Sequence, residues 1–170
     1  IATDHVLNKL NLTTQEITQY FKEKAPCEEC LSSNEILCIY EDTLNNNLWL
    51  GTVAGLNKMD LQSEEFVVYT EKDGLPNNLI YSILADKNGD LWMSTNRGLS
   101  KFNPKDESFS NFGISDGVQD SEFNHGACFK SSTGEMFFGG IDGFNSFYPD
   151  SIQLNETVPN IAITSIELLA

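Results

Sequence analysis

Leu91-Trp92-Met93-Ser94-Thr95-Asn96-Arg97-Gly98-Leu99 is the stretch from which the rest of the chain can be read. Forty-three residues upstream, Leu48 to Leu56 reads Leu-Trp-Leu-Gly-Thr-Val-Ala-Gly-Leu, and forty-five downstream Met136 to Phe144 reads Met-Phe-Phe-Gly-Gly-Ile-Asp-Gly-Phe. The likeness runs beyond the nonapeptide. Asp73-Gly74-Leu75 recurs as Asp116-Gly117-Val118, Phe66 as Phe109, Tyr69 as Phe112, and Asn103-Pro104 as Tyr148-Pro149. A self-similar period of about 43 residues, with Trp and Gly at fixed places, is the length of one four-stranded propeller blade. The sequence therefore predicts an all-β chain, a β-propeller fragment of four-stranded antiparallel blades, about three to four of them in an incomplete ring.

Aligning the copies divides the chain. Residues 1–33 read as the two outer strands of a truncated blade followed by an elaborated loop, because Leu7 to Leu10 aligns with Leu56 to Met59 and Glu16-Ile17 with Glu65-Phe66. Residues 34–78 and 79–121 are the complete copies, and 122–150 a third. Each opens on an apolar strand, Ile36 to Glu41 or Leu79 to Ala85, expected to be covered on both faces. Gly139-Gly140 stands where the preceding copy has Ser94-Thr95, which predicts backbone crowding near the ring axis. Residues 151–170 are a polar connector and a terminal strand, Ile161 to Leu169, that either completes the last blade or begins a following domain.

Ten basic against 25 acidic residues give a formal charge of −15, a field that repels nucleic acid. No apolar run reaches the length of a membrane helix. Cys38 and Cys128 lie in apolar strand patterns and read as buried hydrophobes. Cys27 and Cys30 have redox-pair spacing without a second pair or a histidine at ligand spacing, which favours a loop or a disulfide over a metal. Asp86 to Asp90 has the first half of a calcium loop but not its distal glutamate, and hairpin chemistry accounts for it. No metal or cofactor is expected.

Together the residues resemble a known family. Asp73-Gly74-Leu75-Pro76-Asn77-Asn78, an apolar strand, Asp86, Gly89, Leu91-Trp92, Gly98-Leu99 and Phe102-Asn103-Pro104 resemble the regulator propeller repeat of bacterial two-component sensors. Phe138-Gly139-Gly140, Gly143-Phe144, Phe147, Pro149 and the tail Pro159 to Thr164 look like the terminal blade before a triple-tyrosine, immunoglobulin-like domain. The resemblance implies the periplasmic or extracellular portion of a bacterial inner-membrane histidine kinase or hybrid kinase, many of whose relatives answer to oligosaccharides. It also implies an immunoglobulin-like neighbour. The chain departs from the pattern at Gln119, where proline is expected, and at Asn46-Asn47, which replace the Gly89-Asp90 of the next copy.

Candidate binding residues are those that vary where the scaffold repeats. Before the glycine of the second turn the copies read Val53-Ala54, Asn96-Arg97 and Ile141-Asp142. Arg97 offers a bidentate fork to a carboxylate or clustered hydroxyls, with Asn96, Asp142, Asn124, Glu122 and His125 as neighbours. Trp49 and Trp92 are matched by Phe137 and read as filler between blades rather than sugar platforms. His5 and His125 lack a nucleophile motif, so no catalytic residue is expected. The predicted function is non-enzymatic sensing of a small polar ligand. The alternatives are a propeller lyase or glycosidase, which needs converging carboxylates, and a structural spacer. An open arc with uncapped ends also predicts self-association.

Overall fold

A repeated turn at the end of the second strand gives each complete copy its shape. Thr95 Oγ1 donates to the Gly98 carbonyl at 2.9 Å and accepts the Arg97 N–H at 3.0 Å. Thr52 makes the same pair with Gly55 and Ala54, at 2.9 and 3.0 Å. Gly98 closes the turn at φ 90°, where a Cβ would lie 2.2 Å from the Phe112 carbonyl oxygen. Glycine there is required both by the positive φ and by the approach of the outer strand.

The computed structural model describes residues 2–3, 6–22 and 30–152. They form four successive antiparallel sheets. The first comprises β1 (Ala2–Thr3), β2 (Val6–Leu10) and β3 (Ile17–Tyr20). The second has β4 (Ile36–Asp42), β5 (Asn47–Thr52), β6 (Gly55–Asp60) and β7 (Phe66–Tyr69). The third has β8 (Ile80–Ala85), β9 (Leu91–Thr95), β10 (Gly98–Asn103) and β11 (Ser108–Phe112). The fourth has β12 (Phe123–Lys130), β13 (Met136–Gly140) and β14 (Gly143–Phe147). Each is an up-and-down meander, its strands adjacent in chain order, and the array is an open arc of propeller blades. Besides the two strands expected at the start, the first sheet contains the short β1. The expected terminal strand 161–169 and the residues Ile1, His5 and Cys27 lie outside the described residues.

The core lies between the sheets. Leu7 packs with Leu31, Leu50, Met59 and Phe66 at the first junction. Trp49, Leu56, Tyr69 and Leu75 meet Ile80, Ile83, Met93 and Phe102 at the second. Trp92, Leu99 and Val118 meet Phe123, Met136 and Phe138 at the third. Aromatic pairs cross each junction: Tyr20–Phe66 at 6.0 Å, Trp49–Phe102 at 5.6 Å and Trp92–Phe147 at 4.8 Å between centroids. Trp49 and Trp92 are each 1% exposed, which makes them packing residues.

Side-chain amides fasten the chain passing from sheet to sheet. Asn57 Oδ1 accepts the Ser32 N–H and its Nδ2 donates to Ser32 Oγ, both at 2.8 Å. Asn145, at the same repeat position, accepts the Gln119 N–H at 2.9 Å and donates to the Gly117 carbonyl at 3.0 Å. The middle copy carries the shorter Ser100. There Asn111 of the outer strand supplies the amide, donating to the Gly74 carbonyl at 2.9 Å while accepting from Ser100 Oγ at 2.7 Å.

Two expectations are corrected. Among the described inner strands only β8, flanked by those of both neighbours, is largely buried; β4 is half-exposed, with Ile39 open to solvent, because the first sheet sets no inner strand of its own against it among the described residues. Cys38 and Cys128 are half-buried rather than buried, packed at the margins of their clusters. Burial still pushes the Cys38 thiol up to about 12. Cys30 is disulfide-bonded.

Because its indole fills the third junction, Trp92→Ala is expected to cost about 3–5 kcal/mol of stability. The denaturant midpoint should fall accordingly; a variant that unfolds like the parent would remove Trp92 from the core.

Candidate functional site

The six candidate residues sit at one end of the sheets, on the turns between second and third strands and at the start of β12. Asn96 and Arg97 are exposed on a turn held rigid by Thr95. The Asn96 side chain accepts from the Tyr81 hydroxyl at 3.2 Å. Tyr81 occupies a register shift between Ile80 and Ser82 in β8, and such a bulge re-aims a side chain at the sheet end.

The fourth sheet builds the same turn by other means. Gly140 replaces the threonine, so its turn has no capping hydroxyl. Gln119 takes over: its Oε1 accepts the Asp142 N–H at 2.7 Å, and its Nε2 donates to the Glu122 carbonyl at 3.1 Å. A Cβ on Gly140 would lie 1.9 Å from Gln119 Nε2 and 2.5 Å from the Glu122 oxygen. The expected crowding is present, and its source is this glutamine and the start of the blade's own inner strand. Gln119 for proline and Gly140 for threonine are thus one coupled change.

These contacts join four of the candidates. Gln119 ties Asp142 to Glu122, and the Gly98 N–H donates to the Ser121 carbonyl at 2.7 Å, which sets the Asn96–Arg97 turn beside Glu122. Asn124 is exposed farther along β12. His125 points elsewhere: its Nε2 lies 2.7 Å from the carbonyl oxygen of Leu37 in β4, two sheets away. The ring braces inner strand to inner strand, so its use in binding requires breaking that contact. No ion pair involving Arg97, Glu122 or Asp142 is seen among the described residues.

None of the six lines any of three cavities elsewhere. One of about 300 Å³ lies between the first-to-second-strand hairpins of the third and fourth sheets, lined by Lys87, Lys130, Ser131, Thr133, Tyr148 and Asp150 among others. Its counterpart of about 270 Å³ lies between the second and third sheets, with Asp42, Asn47, Lys58, Asn88 and Lys105. The two occupy equivalent places, so the clefts follow from blade geometry; Lys130 and Lys87 are engaged with the Ala85 carbonyl and Asp150. The third, of about 220 Å³, mixes Trp92, Phe112, Val118 and Phe147 with Asp116, Asn145 and Ser146.

The acidic turn at Asp86 is occupied by the protein itself. Asp86 Oδ1 accepts the Asn88 N–H at 2.8 Å and the Asp90 N–H at 3.1 Å, and Oδ2 accepts Trp92 Nε1 at 3.2 Å. In the preceding copy the turn is one residue longer. There Asp42 caps Leu44 and Asn45, and Trp49 Nε1 is buried with no hydrogen-bond partner among the described residues. Among the described residues no three His, Cys, Asp or Glu side chains gather as a metal site requires. No helix there is long and apolar enough to cross a membrane.

Gln119, Tyr81 and Leu37 were not among the expected site residues. Gln119 carried a signal, because its departure coincides with that at Gly140; Tyr81 and Leu37 depend on the inner-strand bulges and on curvature, which residue patterns do not encode.

Comparisons with known proteins agree with this architecture. Residues 30–54 and 74–97 match the family described as two component regulator propeller. A histidine kinase of Formosa agariphila is 29% identical over 135 residues, covering 79% of this chain and 7% of that protein. Two solved extracellular domains from B. thetaiotaomicron, each described as belonging to a hybrid two component system, superpose with TM-scores of 0.69 and 0.72. Their identities are 26% and 21%, with 88% of this chain covered in both and 22% and 21% of those chains respectively. Two stretches of the chain are thus similar to two component regulator propeller repeats. It spans less than a quarter of each of these relatives.

Gln119→Ala should leave the Asp142 N–H to solvent, costing about 0.5–1.5 kcal/mol, the net worth of one ordinary hydrogen bond. Hydrogen exchange of the 140–143 amides is expected to quicken while the 95–98 turn, capped by Thr95, is unchanged. Equal exchange in parent and variant would contradict the assigned role of Gln119.

Proposed function

We propose that this region is the ligand-sensing, extracytoplasmic propeller portion of a bacterial two-component sensor histidine kinase, binding a small polar ligand of the oligosaccharide type and doing no chemistry itself. The location rests on the relatives described as extracellular domains of two-component systems, and the output on the relative named a histidine kinase. The observation that carries the binding role is the turn at Asn96–Arg97. Its backbone is superimposable in bonding on the Val53–Ala54 turn, yet it presents an amide and a guanidinium where the other presents apolar groups. A fixed turn with variable, charged side chains is how a repeated scaffold acquires recognition.

Glu122 and Asp142 speak against an enzyme. Both are exposed and line none of the cavities. A pair of carboxylates that cleaves a glycosidic bond flanks that bond from two sides of a bound sugar, and these two side chains stand on an open turn and strand end. Arg97 between Asn96 and Glu122 suits clustered hydroxyls, to which guanidinium and carboxylate donate and accept in turn.

Isothermal titration with a panel of neutral and acidic oligosaccharides tests the reading. A binder from the panel should lose about 10- to 100-fold in affinity on Arg97→Ala, the loss of a charge-assisted hydrogen bond of about 1.5–3 kcal/mol. The variant's stability should stay within about 0.5 kcal/mol of the parent. Turnover of a sugar would favour a lyase or glycosidase, and silence across the panel a spacer.

A further inference from the structure

The cleft of about 270 Å³ between the second and third sheets differs from its counterpart in the chemistry of its walls. Between the third and fourth sheets every charged side chain of the lining already has a partner. Lys87 meets Asp150, Lys130 Nζ donates to the Ala85 carbonyl, and Asp86 accepts from its own hairpin and from Trp92. The other cleft is lined by Asn47 and Lys58 of the second sheet and by Asn88 and Lys105 of the third, with Asp42 as its one carboxylate. The hairpin occupies that carboxylate: Oδ1 accepts the Leu44 and Asn45 N–H groups, and Oδ2 the Asn45 side-chain amide at 2.8 Å. Neither lysine has a carboxylate within ion-pair distance among the described residues.

The next copy shows which interaction is missing. By strand register Asn47, Trp49 and Lys58 correspond to Asp90, Trp92 and Lys101. Lys101 lies over the Trp92 ring and is held by Asp90 Oδ2 at 2.7 Å. Lys58 lies over Trp49 in the same way, 5.9 Å from the ring centroid, but the residue in the place of Asp90 is a neutral amide. Asn47 is only 7% exposed, lines the cleft, and makes no side-chain hydrogen bond among the described residues. The Trp49 indole N–H is likewise buried without an acceptor, where that of Trp92 has Asp86. Buried donors are normally paired; here they outnumber the acceptors, in a chain whose formal charge is −15.

We propose that this cleft binds a small dicarboxylate. One carboxylate takes the place that Asp90 fills in the next copy, accepting from Lys58 and the Asn47 amide, and the other meets Lys105 on the facing wall. The protein's own partner for a lysine over a tryptophan is a carboxylate, which argues for that group over a tetrahedral anion. Two ammonium groups on opposite walls act as separate point charges, suited to an acid with a charge at each end. The volume lies just under the range of about 300–1,000 Å³ usual for small-molecule pockets, so a short organic acid fits and a polymer does not. Hairpins between first and second strands stand at the opposite end of the sheets from the Asn96–Arg97 turn. The cleft is therefore separate from the proposed sensing turn and does not depend on it.

Titration of the full chain with succinate, read on the two tryptophan indole N–H signals in proton–nitrogen correlation spectra, tests the proposal. The Trp49 signal should shift and saturate in the millimolar range while that of Trp92 stays in place, and the affinity should fall as ionic strength rises. Asn47→Asp supplies the missing carboxylate from within the chain. It should weaken succinate about tenfold or more and leave the denaturant midpoint equal to or above the parent's. Lys105→Ala, at an exposed position, should weaken succinate about tenfold with an unchanged midpoint. Four results overturn the proposal: a Trp49 signal that does not move, either variant binding succinate like the parent, a lowered midpoint in Asn47→Asp, or inorganic phosphate binding as tightly as succinate at equal ionic strength, which would make the cleft a general anion site.

Discussion

Contact between the faces of successive sheets is the constraint on which the rest of this structure depends. A four-stranded meander has two apolar faces and covers neither alone. Burial therefore has to come from a neighbour, and the aromatic pairs Tyr20–Phe66, Trp49–Phe102 and Trp92–Phe147 mark where it does. The same constraint explains why burial declines toward both ends. β8, with a sheet on each side, is mostly buried; β12 and the rings Phe129, Phe137 and Phe144 at the downstream face are left half or largely exposed.

Polar groups make the repeat precise rather than merely sticky. Thr52 and Thr95 fix the second turn, Asn57 and Asn145 fasten the passage between sheets, and a lysine lies over each tryptophan, Lys58 at 5.9 Å and Lys101 at 5.8 Å from the ring centroid. Lys101 is further held by Asp90 at 2.7 Å. Where one member changes, another compensates: Asn111 reaches across for Ser100, and Gln119 for the hydroxyl missing at Gly140. Such exchanges keep the backbone constant while the turn residues change, and that is what allows Asn96 and Arg97 to be presented on the geometry that elsewhere carries Val53 and Ala54.

The period of the tryptophans, the glycines and the Asp-Gly connections made the blade architecture legible from residues alone, because backbone φ and core volume both constrain those positions. The packing role of Trp49 and Trp92 was legible for the same reason. The candidate site was legible only in outline. Variation within the turns pointed to Arg97, Asn96 and Asp142, but the engagement of His125 with Leu37 depends on the curvature of the arc, which a repeat does not state. The exposure of β4 was hidden too, since an apolar strand is expected to be covered and the sequence does not say which neighbour is incomplete.

If stability resides between the sheets, residues facing across a junction must be energetically coupled. A double-mutant cycle on Trp49→Leu and Phe102→Leu, read by equilibrium denaturation, measures this directly. The two rings meet edge to face at 5.6 Å and 69°, and a coupling energy of about 0.5–1.5 kcal/mol is expected from such a pair. Additivity within about 0.3 kcal/mol would contradict the account, for it would mean that each sheet holds its own tryptophan or phenylalanine without its neighbour.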